Sequence, residues 1–206
     1  MNTDPPNPPE NPPPPGDPGA YTQEIQHTAI SARVPEKVSR GVFSTGVLVL
    51  QGQHEFVLDF LLRMAQPHQI VARVVLPASI LPSVIAALRD NLGKYQAKFG
   101  PPMALPGPPP NVRPPSIAEI YDQLKLPDDL LCGSYANGVM IIHTATEFGF
   151  DFIANFYPRS VVSCRVFLSA PQVPGLLATL NGSYQQYMQK RAAQQPPPEP
   201  PAASQG

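Results

Sequence analysis

The sequence predicts an α+β fold: two tandem β-β-β-α units, each with antiparallel strands and a C-terminal helix, packed together as an intramolecular pseudo-dimer. Three observations lead to this prediction. The chain contains an internal repeat. Each copy shows strand-like alternation followed by a helical pattern. The two copies are separated by a proline-rich stretch.

Proline tracts divide the chain into segments. Thirty of the 206 residues are proline, well above the average usage of about 5%, and most lie in three tracts. Such tracts bury too little apolar area to offset the lost chain entropy, so we expect them to be extended and solvated. The predicted organisation is a disordered arm (1–20), a first repeat (21–100), a linker (101–115), a second repeat with a preceding short helix (116–194) and a disordered tail (195–206).

The repeat aligns residues 34–98 with residues 126–190 without a gap. Each copy has about 65 residues, which is marginal for independent stability. We therefore expect the copies to pack about a pseudo-two-fold axis within a monomeric chain, because closed two-fold pairing is common among homo-oligomers. The matched segments include GVLVL with GVMII, EFVLDF with EFGFDF, and RVVL with RVFL.

The three strands of each copy follow from its apolar pattern. The first is an apolar run, 42–50 or 135–142. Its segments 47–50 and 139–142 show no alternation, so we expect both of their faces to be covered. The second strand alternates, with phenylalanines on one face and acidic residues on the other. A third strand spans 70–76 or 162–168. The predicted core residues of the second strands are Phe56, Phe60, Phe148 and Phe152.

Helical spacing follows the third strand in each copy. Ser79 and Ser169 precede these helices and are candidate N-caps, with a proline near each first turn where proline is tolerated. The residues before the two copies differ. Residues 24–34 alternate like an extra strand, whereas Ser116 and Glu119 form the pattern of a capping box that begins a short helix.

The repeated motifs resemble those of the small prokaryotic domain-of-unknown-function family 3467. SYANGVMIIHTATEFGFDF in the second copy is similar to the front of the family pattern, and Asn91, Tyr95, Phe99 and Gly100 in the first copy match its end. The resemblance covers nearly all of the segment that we expect to fold. It implies no activity, because the function of the family is unassigned. Single-unit members would be expected to pair, so a duplicated chain looks like a fused pair.

The chain departs from the family pattern at several positions. The Ser/Thr-Pro helix start of the family is Pro77-Ala78 or Ser169-Ala170 here. A lysine common in the first helical turn is replaced by Pro82 and Pro174, and the hairpin histidine is kept as His143 but is Gln51 in the first copy. A role that depends on that lysine or on paired histidines is therefore not expected here.

Three charged positions occur in both copies, and they are the candidate functional residues. All have the parity opposite to the phenylalanines, so an acid and an arginine on adjacent strands can face each other. We interpret them first as structural ion pairs, second as partner contacts, and third as an acid–base pair of an enzyme. These positions are Glu55, Asp59 and Arg73 in the first copy, and Glu147, Asp151 and Arg165 in the second.

Cofactor and metal chemistry find little support in the sequence. His143, Glu147 and Asp151 are spaced by four along a strand, which separates their side chains by about 13 Å at about 3.3 Å per residue. One ion cannot bridge that distance. Cys132 and Cys164 make neither a disulfide framework nor a zinc spacing, and we predict no cofactor and no catalytic residue.

Composition limits the classes of partner. The formal net charge is −1, which gives no reason to expect nucleic acid. No apolar run reaches about 18 residues, so we expect no membrane span, and the N-terminus lacks the pattern of a signal peptide. A cytoplasmic location is the default expectation.

These observations favour a non-catalytic cytoplasmic protein-interaction or structural module that binds a protein or peptide. An alternative is a chaperone-like or peptide-binding protein that uses its apolar strands for strand addition. A third class is an enzyme that uses the repeated Glu, Asp and Arg positions.

Overall fold

The computed structural model describes residues 32–107, 113, 115–156 and 159–194. Within them the chain has a mixed α/β fold with two sheets and four α-helices. The arm 1–20, the tail 195–206 and most of the extra strand at 24–34 lie outside the described residues, so those expectations stay predictions.

The helices are α1 (Glu36–Ser39), α2 (Leu81–Phe99), α3 (Ile117–Tyr121) and α4 (Val173–Gln194). The strands are β1 (Val42–Ser44), β2 (Gly46–Gln51), β3 (Glu55–Leu62), β4 (His68–Pro77), β5 (Leu124–Lys125), β6 (Ser134–Tyr135), β7 (Gly138–His143), β8 (Glu147–Ala154) and β9 (Val161–Ser169). Short 3-10 turns cover Asp128–Leu130 and Ala170–Gln172.

Antiparallel pairing follows the order of the repeats. The first sheet contains β2, β3 and β4 in antiparallel order, with β5 and β6 parallel to β4. The second sheet has the order β1-β9-β8-β7, in which β7, β8 and β9 are antiparallel. Both β3 and β8 shift register at matching places, after Phe60 and after Phe152. The second and third strands thus lie where the alternation predicted them.

The first strands differ from the prediction of separate units, because each one divides its pairing between the two sheets. In the first repeat the break falls at Thr45: β1 pairs with β9 of the second repeat, and β2 pairs with β3 of its own. In the second repeat β6 pairs with β4 of the first, while β7 pairs with β8. Ser44, Thr45 and Gly46 interrupt the apolar run at this break, but a local pattern does not show which strand each part pairs with, so periodicity could not reveal this exchange.

One apolar core joins the two repeats. Phe56, Phe60, Phe148 and Phe152 are all buried, as predicted, and the rings of Phe60 and Phe152 lie 5.7 Å apart across the centre. The helices α2 and α4 pack against each other, and each also packs against an edge strand of the other repeat, α2 on β7 and α4 on β2. Tyr95 on α2 donates a hydrogen bond to the backbone oxygen of Ala145, at 2.9 Å.

Two local predictions were wrong. Neither Ser79 nor Ser169 caps a long helix: α2 begins after Ile80, without a side-chain cap, and Ser169 precedes a 3-10 turn, also without one. The turn that links strand to helix takes up the residues that a serine cap would need. By contrast, the capping box of Ser116 and Glu119 is present at the start of α3.

The expectation that both faces of the apolar strands are covered was also wrong. On β7 the side chains of Met140 and Ile142 are 42% and 65% exposed. They point away from the phenylalanine face, onto what we call the outer face of the second sheet. The matching residues of β2, Leu48 and Leu50, are half-buried.

Candidate functional site

The repeated aspartates and arginines form two matching ion pairs, one on each sheet. Asp59 lies opposite Arg73, and Asp151 lies opposite Arg165, as cross-strand register partners. The guanidinium of Arg73 donates from Nε and Nη2 to both Asp59 carboxylate oxygens, at 2.7 Å each. Arg165 does the same with Asp151, at 2.6 and 2.7 Å. Such paired donors fix the orientation of both side chains.

Each arginine also bonds to the backbone of the other repeat. Arg73 donates from Nη1 to the carbonyl oxygen of Leu131, at 3.3 Å. Arg165 donates from Nη1 to the carbonyl oxygen of Ser39, at 3.0 Å. Residues 39 and 131 occupy the same position in the repeat, just before β1 and β6. Because these two strands pair with strands of the other repeat, we call residues 39–44 and 131–135 the crossing segments. Each ion pair therefore holds the other repeat's crossing segment in place.

A glycine in each crossing segment makes room for the arginine stem. Gly41 and Gly133 have left-handed φ angles of +64° and +67°, a conformation that glycine adopts without steric cost. A Cβ at Gly133 would lie 2.9 Å from Arg73 Cγ, and one at Gly41 would lie 2.8 Å from Arg165 Cγ. The glycine at the end of VPEKVSRG and of LPDDLLCG is thus required by both angle and space.

The repeated glutamates lie apart from these pairs, near the hairpin turns. Glu147 accepts hydrogen bonds from the hydroxyls of Thr144, at 3.0 Å, and of Thr146. Glu55 lies beside Gly52, where an added Cβ would collide with its carboxylate. The structure therefore brings together the Asp and Arg of the predicted set and leaves Glu55 and Glu147 at the first positions of β3 and β8, beside the hairpin turns.

Tyr121, at the end of α3, contacts the Asp59–Arg73 ion pair. The sequence did not identify it as a candidate residue. Its hydroxyl donates a hydrogen bond to the Asp59 carboxylate. Burial, together with this bond, raises the pKa of Tyr121 to about 12. The capping box of α3 predicted the helix, but nothing in the sequence connects its last residue to an aspartate on a distant strand.

The two pairs differ in their contact with solvent. The side chains of Arg73 and Asp59 are 15% and 0% exposed, whereas those of Arg165 and Asp151 are 25% and 16% exposed. Hydrogen bonding to the aspartate raises the pKa of both arginines above the usual value. Both arginines therefore remain cations, and neither can serve as a general base.

A cleft of about 160 Å³ lies between the third strands, next to both arginines. Its walls pair apolar residues of the first repeat with polar residues at matching positions of the second: Val42 with Ser134, and Val71 with Ser163. Cys164 also lines it, but burial raises the pKa of this thiol to about 12. The thiol is thus protonated at neutral pH and is a poor nucleophile.

The other candidates for chemistry lie apart from one another. His143 packs its ring against Tyr95 and Phe148, and among the described residues its buried Nδ1 has no hydrogen-bond partner. Cys132 is exposed. Within the part of the chain that the structure describes, no three His, Cys, Asp or Glu side chains are grouped so that they could hold a metal ion.

Comparison with known proteins gives one match. A family model described as "Protein of unknown function (DUF3467)" matches residues 3–104 and again residues 109–193. No curated protein and no solved structure matches the chain. None of the described helices is both long enough and apolar enough to span a membrane.

Proposed function

Because the chain belongs to domain-of-unknown-function family 3467 and carries two copies of the domain, we propose a function from its geometry: it is a non-catalytic protein-interaction module. The two β-β-β-α copies act as a fused pair related by a pseudo-two-fold axis. Fusion keeps the pairing interface independent of concentration, so the chain is a monomer. Its location is cytoplasmic, and its partner is a protein or peptide.

The repeated ion pairs support the non-catalytic part of this proposal. Asp59–Arg73 and Asp151–Arg165 are each satisfied by two charge-assisted bonds and a third bond to the other repeat. A residue that holds two repeats together is not free to exchange protons with a substrate. An enzyme using the Glu, Asp and Arg positions would need a carboxylate that is free to exchange a proton with a reacting group, and Asp59 and Asp151 are each bound by an arginine through both oxygens.

The single observation that carries the interaction role is the outer face of the second sheet. Three large apolar side chains are exposed there: Phe43 by 43%, Met140 by 42% and Ile142 by 65%. Phe43, Phe167, Gly149 and Ile142 are register partners in one row across all four strands. A clustered apolar surface with charged residues beside it is typical of protein-binding sites.

Site-specific photo-crosslinking in cells tests this proposal. A photoreactive amino acid replaces Ile142 on the outer face, and a matched control replaces Met188 on α4, which is 47% exposed. We expect a discrete crosslinked protein band from position 142 and none of the same size from position 188. The same bands from both positions, or none from position 142, would contradict the proposal.

A second candidate function is peptide binding by strand addition, favoured by the position of β7 at the end of its sheet. An edge strand with exposed Met140 and Ile142 offers both backbone groups and apolar contacts to an extended peptide. An apolar dye distinguishes a general chaperone-like surface from a specific one. Strong dye binding that Ile142→Lys abolishes would favour the chaperone-like role, whereas weak dye binding would favour a specific partner.

A further inference from the structure

We propose that the outer face of the second sheet binds a tyrosine-bearing segment of a partner protein, whose phenol hydroxyl donates a hydrogen bond to the Asp151 carboxylate. This inference deepens the interaction role proposed above and rests on it. The first sheet supplies the template, because there Tyr121 of α3 makes the same bond to Asp59.

The Asp151 carboxylate has the room and the chemistry to accept such a bond. Its side chain is 16% exposed, whereas that of Asp59, which Tyr121 contacts, is 0% exposed. Arg165 occupies one side of the Asp151 carboxylate, as Arg73 does for Asp59. A carboxylate has about four acceptor positions, so a hydroxyl from outside meets an acceptor of the right charge.

Next to Asp151, an exposed apolar side chain is available to contact an aromatic ring. Its register partner on the edge strand is Met140, 42% exposed, whereas the partner of Asp59 is the half-buried Leu48. Methionine adapts its flexible side chain to the shape of a partner and makes favourable contacts with aromatic rings. Tyrosine supplies the matching combination of apolar ring and hydroxyl, and it is enriched in protein interfaces.

The sequence has no tyrosine at the position that matches Tyr121. Arg33 bridges to Val161 on the second sheet as Lys125 pairs with Gln69 on the first, so residues 24–31 precede this bridge as residues 116–123 precede the other. The residue that matches Tyr121 is Ala29. Nor does a second copy gain by lending its Tyr121, because that residue would have to leave its own Asp59.

A synthetic peptide that copies residues 116–125, SIAEIYDQLK, is a suitable probe, with its phenylalanine version as the matched control. Methionine-methyl NMR of the full chain reports the binding position, since the chain has only five methionines. We expect the tyrosine peptide to shift the Met140 signal and to leave that of Met188 unchanged. The phenylalanine peptide should bind about tenfold more weakly, because it lacks one hydrogen bond to a charged acceptor.

Two substitutions connect the binding to Asp151. Asp151→Asn should remove the preference for tyrosine over phenylalanine, whereas Asp59→Asn should leave it unchanged because Tyr121 already covers that residue. If either variant fails to fold, Ile142→Lys at the exposed edge provides the test, and it should abolish the shift of the Met140 signal that the peptide causes. Equal binding of the two peptides to the wild-type chain, or no shift at Met140, would overturn the proposal.

Failure of this inference is distinguishable from failure of the interaction role. A crosslinked partner from position 142 together with equal affinity for both peptides would leave the interaction surface standing and remove the tyrosine. Occupation of the face by the chain's own residues 1–31 would prevent the Met140 shift, and that outcome also overturns the inference.

Discussion

The Asp59–Arg73 pair of the first sheet and the Asp151–Arg165 pair of the second have nearly the same bonds but different surroundings. Each arginine contacts its aspartate twice and the other repeat's backbone once. Tyr121 covers only the first pair. The two copies therefore make the same contacts where one repeat binds the other, and they differ on their outer faces. The contacts between repeats constrain both copies in the same way, whereas the outer faces are not constrained by each other.

The largest expected effect lies in the shared core, where the copies should behave alike. Phe60→Ala and Phe152→Ala each remove a buried ring, which should cost about 3–5 kcal/mol of unfolding free energy. Chemical denaturation of both variants measures this. Because the two rings contact each other, the double variant should cost less than the sum. A wild-type midpoint for either variant would show that the core does not depend on that ring.

The two ion pairs should differ in how much each contributes to the free energy of unfolding. Arg73→Met leaves Asp59 fully buried without its cation, which should cost about 3–5 kcal/mol. Arg165→Met leaves Asp151 partly exposed to water, so the cost should be about 1–2 kcal/mol, close to that of lost hydrogen bonds. Denaturation midpoints give both values. Equal losses would mean that the difference in exposure has no energetic weight.

Replacing the glycine in either crossing segment should lower the free energy of unfolding by a similar amount. Gly41→Ala and Gly133→Ala each place a side chain at a left-handed φ angle, at about 1–2 kcal/mol, and each adds a close contact with an arginine stem. We expect both variants to lose about 2 kcal/mol or more. Gly93→Ala on α2 is the matched control, because its added Cβ meets nothing within 4 Å and should stabilise the helix slightly. A marked difference between Gly41 and Gly133 would indicate that only one crossing is tight.

The smallest effect concerns Tyr121. Tyr121→Phe removes one bond to Asp59 and should cost about 1 kcal/mol at neutral pH. The folded-state pKa of Tyr121 is raised from 10 to about 12. Its stabilisation is therefore present below pH 10 and is lost as the pH rises through about 12. The gap in melting temperature between wild type and Tyr121→Phe should close over that range.

Cys164 titrates in the same alkaline window, because burial raises the pKa of its thiol to about 12. Both proteins in the Tyr121 experiment therefore carry Cys164→Ala, so that the thiol contributes nothing. A gap in melting temperature that stays constant from pH 9 to pH 12 would mean that the tyrosine proton is not what holds α3 to Asp59.

Much of the candidate site could be predicted from the sequence. The repeat located all six charged positions, and their parity opposite to the phenylalanines placed Asp and Arg across from each other on adjacent strands. The glutamates share that parity, but their register partners across the sheet are Pro77 and Ser169, so no arginine lies opposite them. Tyr121 was missed because its partner is far away along the chain, and no periodic pattern links a helix end to a strand face.

The sequence by itself determined the duplication, the second and third strands, the long helices and the buried phenylalanines. All of these depend on local periodicity and on the similarity of two segments. Only the tertiary structure decided that each first strand divides between two sheets and that each arginine holds the other repeat. It also decided that Tyr121 contacts the buried Asp59 of one sheet, whereas Met140 and Ile142 are exposed on the other. These features depend on which distant groups meet, and an apolar run or a lone tyrosine carries no information about its partner.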